Sequence, residues 1–243
     1  MTAIGTGPSG HATIGTDPVP SLRSRLPRRL IQLYAGLALY GWSMSMMIRS
    51  GLGLDPWDVF HDGVRRHVGL SFGTVVIIVG ALVLLLWIPL RQWPGFGTVS
   101  NVVVIGLVTD LGLSVLGPPV WMPARIGLLL GGIVANGMAG GMYIGALLGP
   151  GPRDGLMTGL ARRTGRSIRL VRTSLELTVL GTGWLLGGVV GLGTVLYALS
   201  IGPLVQFFLA RFTVTRDRSA HRSVSGGWRR SPRRPVSPSP RPR

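Results

Sequence analysis

Polar residues are scarce in this chain, and the few it has recur in a pattern. Residues 52–63 read "LGLDPWDVFHDG" and residues 148–159 read "LGPGPRDGLMTG". In the first stretch Asp55 fits a helix N-cap, Pro56 the first helical position, and Asp58 the third. A carboxylate there faces the positive end of the helix dipole. Gly151, Pro152 and Asp154 take the same three places in the second. Two chemistries are open to this spacing. Asp58 and Asp154 can cap a short interfacial helix, reaching back to free N–H groups. Alternatively, they belong to re-entrant or broken helices whose N-termini and carboxylates point at a ligand.

Five further positions qualify as ligand groups. Glu176, the sole glutamate, and Asp110 both lie inside apolar stretches, and Gln206 follows Asp110 by 96 residues. Ionisable groups at membrane depth are expensive and usually face a cavity or a partner. Arg172 lies one turn before Glu176, so an i,i+4 ion pair is available; the other reading of Glu176 is a coupling carboxylate for protons or cations. Asp110 reads as reaching the outer interface. "GFGTV" at 95–99 and "GLGTV" at 191–195 contain Thr98 and Thr194. These stretches open helices, as turn and cap or as N–H groups exposed to an anion. Neither has the lysine, spacing and strand context of a nucleotide-binding loop. The chain has no cysteine, its four histidines are scattered, and no nucleophile–base set can be assembled. No catalytic residue, metal or cofactor is therefore expected.

The elements that must carry these residues are membrane helices. The 243 residues are 46% hydrophobic and 14% charged, too apolar for an ordinary soluble domain. Six segments are long enough to span a bilayer: roughly 29–49, 72–92, 97–116, 125–148, 169–190 and 192–211. The first is too long for a cleaved signal peptide and reads as a retained anchor. Residues 1–28 and 212–243 lack an apolar period and are expected to be disordered and cytoplasmic. The tail is rich in Arg, Pro and Ser, with anionic lipid headgroups as its expected partner. It lacks the interleaved aromatics that nucleic-acid binding favours. With the N-terminus inside and six crossings, 21 arginines fall on the cytoplasmic side and 4 outside. That asymmetry places both termini in the cytoplasm.

A shift of 96 residues superimposes the two halves without gaps. Gly36, Leu52, Pro56, Asp58, Gly69 and Ser71 meet Gly132, Leu148, Pro152, Asp154, Gly165 and Ser167, among others. Three crossings per half force the second half to insert upside down. The expected fold is all-α, with six transmembrane helices as two inverted three-helix repeats (29–116 and 125–211). They are joined by an outer loop at 117–124, and each has a short helix after its first span. Glycines at 137, 141, 145 and 149 suggest close helix packing. Trp87, Trp93, Trp121 and Trp184 read as interface anchors.

"GLGLDPWDVFHDG", "GTVSNVVVIGLVTD", "RDGLMTGLARRTGRSIRLVRTSLELTVLGTGWLLGG" and "GLGTVLYALSIGP" resemble the YitT/YczE group of bacterial integral membrane proteins. The resemblance covers about 30–210. It implies a polytopic inner-membrane protein and leaves the substrate open. Inverted repeats favour a small-molecule or ion permease with its site between the halves. The competing reading is a non-transporting scaffold. A polar cavity at mid-depth would favour the first, and a dry glycine-packed interior the second.

Overall fold

The computed structural model describes residues 26–213, which form eight helices and, among those residues, no strand. They are α1 (Leu26–Ser50), α2 (Pro56–Val68), α3 (Phe72–Trp87), α4 (Phe96–Val115), α5 (Met122–Gly145), α6 (Pro152–Thr164), α7 (Ile168–Leu185) and α8 (Leu192–Phe212). Residues 1–25 and 214–243, with most of the two segments expected to be disordered, lie outside the described residues. Leu26, Pro27 and Arg28 are already helical, so the first helix starts before the expected residue 29.

Helix starts in the second half follow those of the first by 96 residues: Leu26 and Met122, Pro56 and Pro152, Phe72 and Ile168, Phe96 and Leu192. Local chemistry sets this register. Ser71 accepts from the Thr74 N–H at 3.1 Å, and Ser167 from the Leu170 N–H at 3.3 Å, each capping the helix it precedes. Gly69 and Gly165 end α2 and α6 in the left-handed region, at φ 68° and 67°.

Tertiary contacts repeat the same symmetry. α1 packs against α5 at the centre, α4 covers α1, and α8 covers α5. Arg29, near the start of α1, donates from Nε to the Ala146 carbonyl at 2.8 Å and from Nη2 to Leu147 at 2.7 Å, at the end of α5. Arg125, its counterpart at the start of α5, donates to Ser50 at 2.7 Å and Gly51 at 3.1 Å, at the end of α1. α1 and α5 therefore run antiparallel, and each helix's C-terminal carbonyls are satisfied by a cation from the other half. The small residues expected to mediate close packing do so on one side. A Cβ on Gly137 would come within 2.6 Å of Leu204 Cβ, and one on Gly141 within 2.7 Å of Phe208 Cβ, so α5 and α8 meet at backbone distance. Gly149 has a different task, at φ +137° in the turn before α6.

That turn and its partner interlock the halves. The Gly193 N–H at the start of α8 donates to the Leu52 carbonyl at 2.8 Å, and the Gly97 N–H at the start of α4 donates to Leu148 at 2.9 Å. Thr98 and Thr194, buried at these starts, accept from the Gly95 and Gly191 N–H groups at 3.2 and 3.3 Å. Gly53, at φ +124°, lies so close that a Cβ would stand 2.7 Å from the Thr194 nitrogen; one on Gly149 would stand 2.7 Å from Thr98 Oγ1.

By length and composition, α4, α5 and α8 each suffice to cross a membrane, and α2 with α3 would do so as a pair bent by 111°. The remaining helices expected to span fall short of that standard. α3 alone has 16 residues, α7 carries Arg169, Arg172 and Glu176, and α1 is diluted by Gln32, Ser43 and Ser45. Leu82, Leu85, Leu107, Leu111, Leu199 and Phe207 turn outward, as lipid-facing side chains do. Trp93, Trp121 and Trp184 are exposed, but Trp87 is a correction to the anchor reading. Its ring is buried against Gly155 of α6, and its indole N–H donates to Pro152 at 3.1 Å.

Gly53→Ala and Gly149→Ala are each expected to cost about 2 kcal/mol or more, because positive φ and a backbone clash coincide. Gly69→Ala, also left-handed but facing open space, is expected to cost about 1 kcal/mol. Thermal unfolding in detergent, followed by tryptophan fluorescence, checks the order; equal losses at all three sites would contradict the interlock.

Candidate functional site

A cavity of about 270 Å³ lies between the halves, and both contribute to its wall. Its polar end is built by the two short helices. Asp55 caps α2 as expected, its Oδ1 accepting from the Trp57 and Asp58 N–H groups at 2.8 and 3.0 Å. Asp58 is thus not needed as a cap. Its Oδ1 lies instead 3.1 Å from His61 Nδ1, and both side chains are buried. Asp62 pairs locally with Arg65 and Arg66 at 2.9 and 3.0 Å.

From the other half, Arg153 in the first turn of α6 reaches across. Its guanidinium stands 3.5 Å from Asp55 Oδ1 and 3.8 Å from Asp58 Oδ1, 5.2 Å from the centre of the Trp57 ring. The sequence reading counted Arg153 among the cytoplasmic loop charges; it lines the cavity and is about a quarter exposed. Taking two carboxylates out of water is costly, and one guanidinium at these distances offsets only part of that cost. One oxygen of each, Oδ2 of Asp55 and of Asp58, is buried with no hydrogen-bond partner. Asp154, the counterpart of Asp58, accepts from the Tyr143 hydroxyl at 2.8 Å. α6 itself has Gly151 at its cap position and no side-chain cap.

The middle of the cavity holds a pair of positions that exchange residue types between the halves. Tyr40 corresponds to Asn136, and Asn101 to Tyr197. In the second half the pair is joined, Tyr197 donating to Asn136 Oδ1 at 3.0 Å, while Asn136 donates to Ser43 at 2.9 Å. In the first half, Tyr40 and Asn101 make no side-chain hydrogen bond among the described residues, and both line the cavity. Farther out, Glu176 and Gln206 line it as well. Glu176 makes the available pair with Arg172, at 2.9 Å, and both side chains are partly exposed.

Seven residues were expected to bind ligand, and the fold separates them. Glu176, Asp154 and Gln206 line the cavity, and Asp58 stands behind Asp55 and Arg153. Thr98 and Thr194 serve the helix starts, Thr98 donating to Pro150 at 2.7 Å. Asp110 is also spent structurally: its Oδ1 accepts from the Gly73 N–H at 2.7 Å and its Oδ2 from the Ser71 hydroxyl, tying the end of α4 to the start of α3. Gln206, at the equivalent place on α8, makes no hydrogen bond with Ser167 or Arg169, and α7 and α8 do not pack as α3 and α4 do.

Residues 27–210 match the family of unknown function DUF6198. The chain belongs to that family. It is 42% identical over 179 residues to an uncharacterized protein of Haemophilus influenzae, covering 74% of this chain and 82% of the relative. It is 35% identical over 190 residues to the uncharacterized membrane protein YczE of Bacillus subtilis, covering 77% and 88%. The protein YyaS of the same organism is 24% identical over 178 residues, covering 72% and 89%. No solved structure matches. The resemblance to YczE holds, and with its apolar helices this DUF6198 chain is a membrane protein.

The sequence reading missed Asp55 as a site group, Arg153, and the Tyr40, Asn101, Asn136 and Tyr197 quartet. The quartet left a signal, since residue types that swap between positions 40 and 101 in one half and 136 and 197 in the other mark two positions that pair within each half. Arg153 left none, because a loop arginine at a helix start looks the same whether it meets water or a carboxylate.

Arg153→Met is expected to destabilise the protein by about 3 kcal/mol, since two buried carboxylates lose their counter-charge. Adding Asp55→Asn and Asp58→Asn should recover most of that loss. Unfolding temperatures of the single and triple variants check this; no recovery would show that Arg153 acts through packing.

Proposed function

We propose that the protein is a small-molecule permease working by alternating access, with the central cavity as its binding site. In this reading the chain crosses the bilayer six times, as two inverted three-helix halves with both termini cytoplasmic. α2 and α6 are re-entrant rather than interfacial. The antiparallel α1 and α5, and the arginine asymmetry of 21 against 4, support that topology.

The observation that carries the reading is the unequal state of equal halves. Asp110 ties α4 to α3 on the side the arginine count assigns to the exterior, while the matching junction at Gln206 is undone on the cytoplasmic side. The joined Tyr197–Asn136 pair and the separated Tyr40–Asn101 pair differ in the same way. Two packings of similar sequence, exchanged between symmetric halves, are what an inward-open state and its outward-open counterpart require. A scaffold has no need of a polar cavity at the centre of its glycine-packed core. Glu176, near the open mouth, is proposed to couple transport. Its ion pair with Arg172 is half in water and contributes little stability. The Arg-rich tail is proposed to rest on anionic headgroups.

Cysteine labelling tests the topology on this cysteine-free chain. Val68→Cys and Thr164→Cys, equivalent exposed positions, should react from opposite sides of the membrane. Asn101→Cys, in the cavity, should react from the cytoplasmic side alone, and from both sides once Asp110→Ala releases the outer junction. Reaction of 68 and 164 from one side would remove the inverted arrangement.

Proteoliposomes loaded with a bacterial metabolite extract test the activity. Glu176→Gln is expected to change the unfolding free energy by no more than the ~0.5 kcal/mol typical of exposed pairs while abolishing counterflow. Adding Arg172→Gln should not restore it. Full counterflow in the single variant would remove Glu176 from the mechanism.

A further inference from the structure

The cavity of the proposed permease carries more acid than its own bases neutralise. Glu176 and Arg172 account for each other. Asp55 and Asp154 on the wall, and Asp58 behind Asp55, then share one guanidinium, that of Arg153, with the His61 imidazole 3.1 Å from Asp58 Oδ1 as the one further basic group beside them. Arg153 satisfies none of them fully: it stands beyond ordinary charge-assisted hydrogen-bond range of both Asp55 and Asp58. Asp154 has the Tyr143 hydroxyl. Asp55 is 1% exposed and Asp58 0%, yet Oδ2 of each lacks a donor. Buried carboxylate oxygens are seldom left without donors, and here two from one helical turn are. What the site lacks is positive charge and N–H or polarised C–H donors.

Its apolar lining fits the same ligand. Arg153 already sits over the Trp57 face, which shows that a delocalised cation is accommodated there. The rings of Tyr40 and Tyr143 meet edge to face at 6.1 Å in the same wall. Aromatic faces beside carboxylates form the standard receptor for organic ammonium groups. At about 270 Å³ the space is just below the range of drug-sized ligands, so the occupant is compact. An anion would find Arg153 and the uncapped start of α6, but would have to share them with three carboxyl groups.

We infer that the cavity selects a compact organic cation bearing an ammonium or guanidinium group, held by Asp55 and Asp58 against Trp57 in the place the Arg153 side chain now occupies. Arg153 then acts as the resident cation of the empty site, and a substrate cation displaces it toward the cytoplasmic mouth. This rests on the permease reading for its transport role, but the binding chemistry stands by itself.

Binding to the purified full-length protein tests it, by calorimetry and by thermal shift. The probes are choline, agmatine, the neutral choline isostere 3,3-dimethylbutan-1-ol, and the anion 3,3-dimethylbutyrate. Choline or agmatine should bind saturably, and neither the alcohol nor the carboxylate should. Asp55→Asn keeps a side chain able to cap α2, so it should fold normally while weakening cation binding by about tenfold or more. The inference is overturned if neither cation binds more tightly than the neutral isostere, if the carboxylate binds in their place, or if Asp55→Asn binds the cation unchanged. Counterflow of the same probes separates the two readings. A cation that binds but is not moved removes the permease and leaves the site. An anion that is moved leaves the permease and removes the cation site.

Discussion

The fold depends on one constraint met twice: each half supplies the groups that finish the helices of the other. Arg29 and Arg125 occupy the open carbonyl ends of α5 and α1, and the carbonyls of Leu52 and Leu148 take the first N–H groups of α8 and α4. In a low-dielectric interior an unsatisfied backbone group costs several kcal/mol, so neither half is complete alone. The glycines at 53 and 149 follow from this. Only a residue without a side chain can turn through positive φ while its backbone lies against another helix start.

That interlock also sets where the charges go. The turns that dock at Leu52 and Leu148 lead directly into α2 and α6, so the N-termini of both short helices are brought to the centre of the molecule. Asp55 enters with one and Arg153 with the other, and they meet because α1 and α5, which lead into these turns, run antiparallel. Such a cross-half pair adds little net stability over an apolar alternative of the same volume. Folding alone therefore does not account for its placement at the end of the polar cavity.

Symmetry and its breaking occupy different parts of the molecule. The helix starts and the α1–α5 contact obey the 96-residue relation closely. The α3–α4 and α7–α8 junctions do not: Asp110 closes one and Gln206 leaves the other open. Substituting a neutral amide for a carboxylate at equivalent positions means the two junctions need not be equally strong.

How much of this was legible in the sequence follows from the range of the forces involved. Helix starts were, because Asp55–Pro56, Gly151–Pro152 and the glycine–threonine stretches at 95–98 and 191–194 act on backbone groups within four residues. The duplication was, since it is a property of the string itself, and it carried the exchanged Tyr–Asn pairs without revealing that they face each other. The i,i+4 partnership of Arg172 and Glu176 was also a local matter. What the tertiary structure alone decided are the contacts across the halves. It turned Arg153 from a presumed loop charge into the counter-ion of Asp55 and Asp58. It buried Trp87 against Gly155, and it spent Asp110 on Ser71 and Gly73. Those outcomes depend on which helix faces which after docking, and no local spacing encodes that, because the energy of a buried charge or ring is set by neighbours distant in the chain.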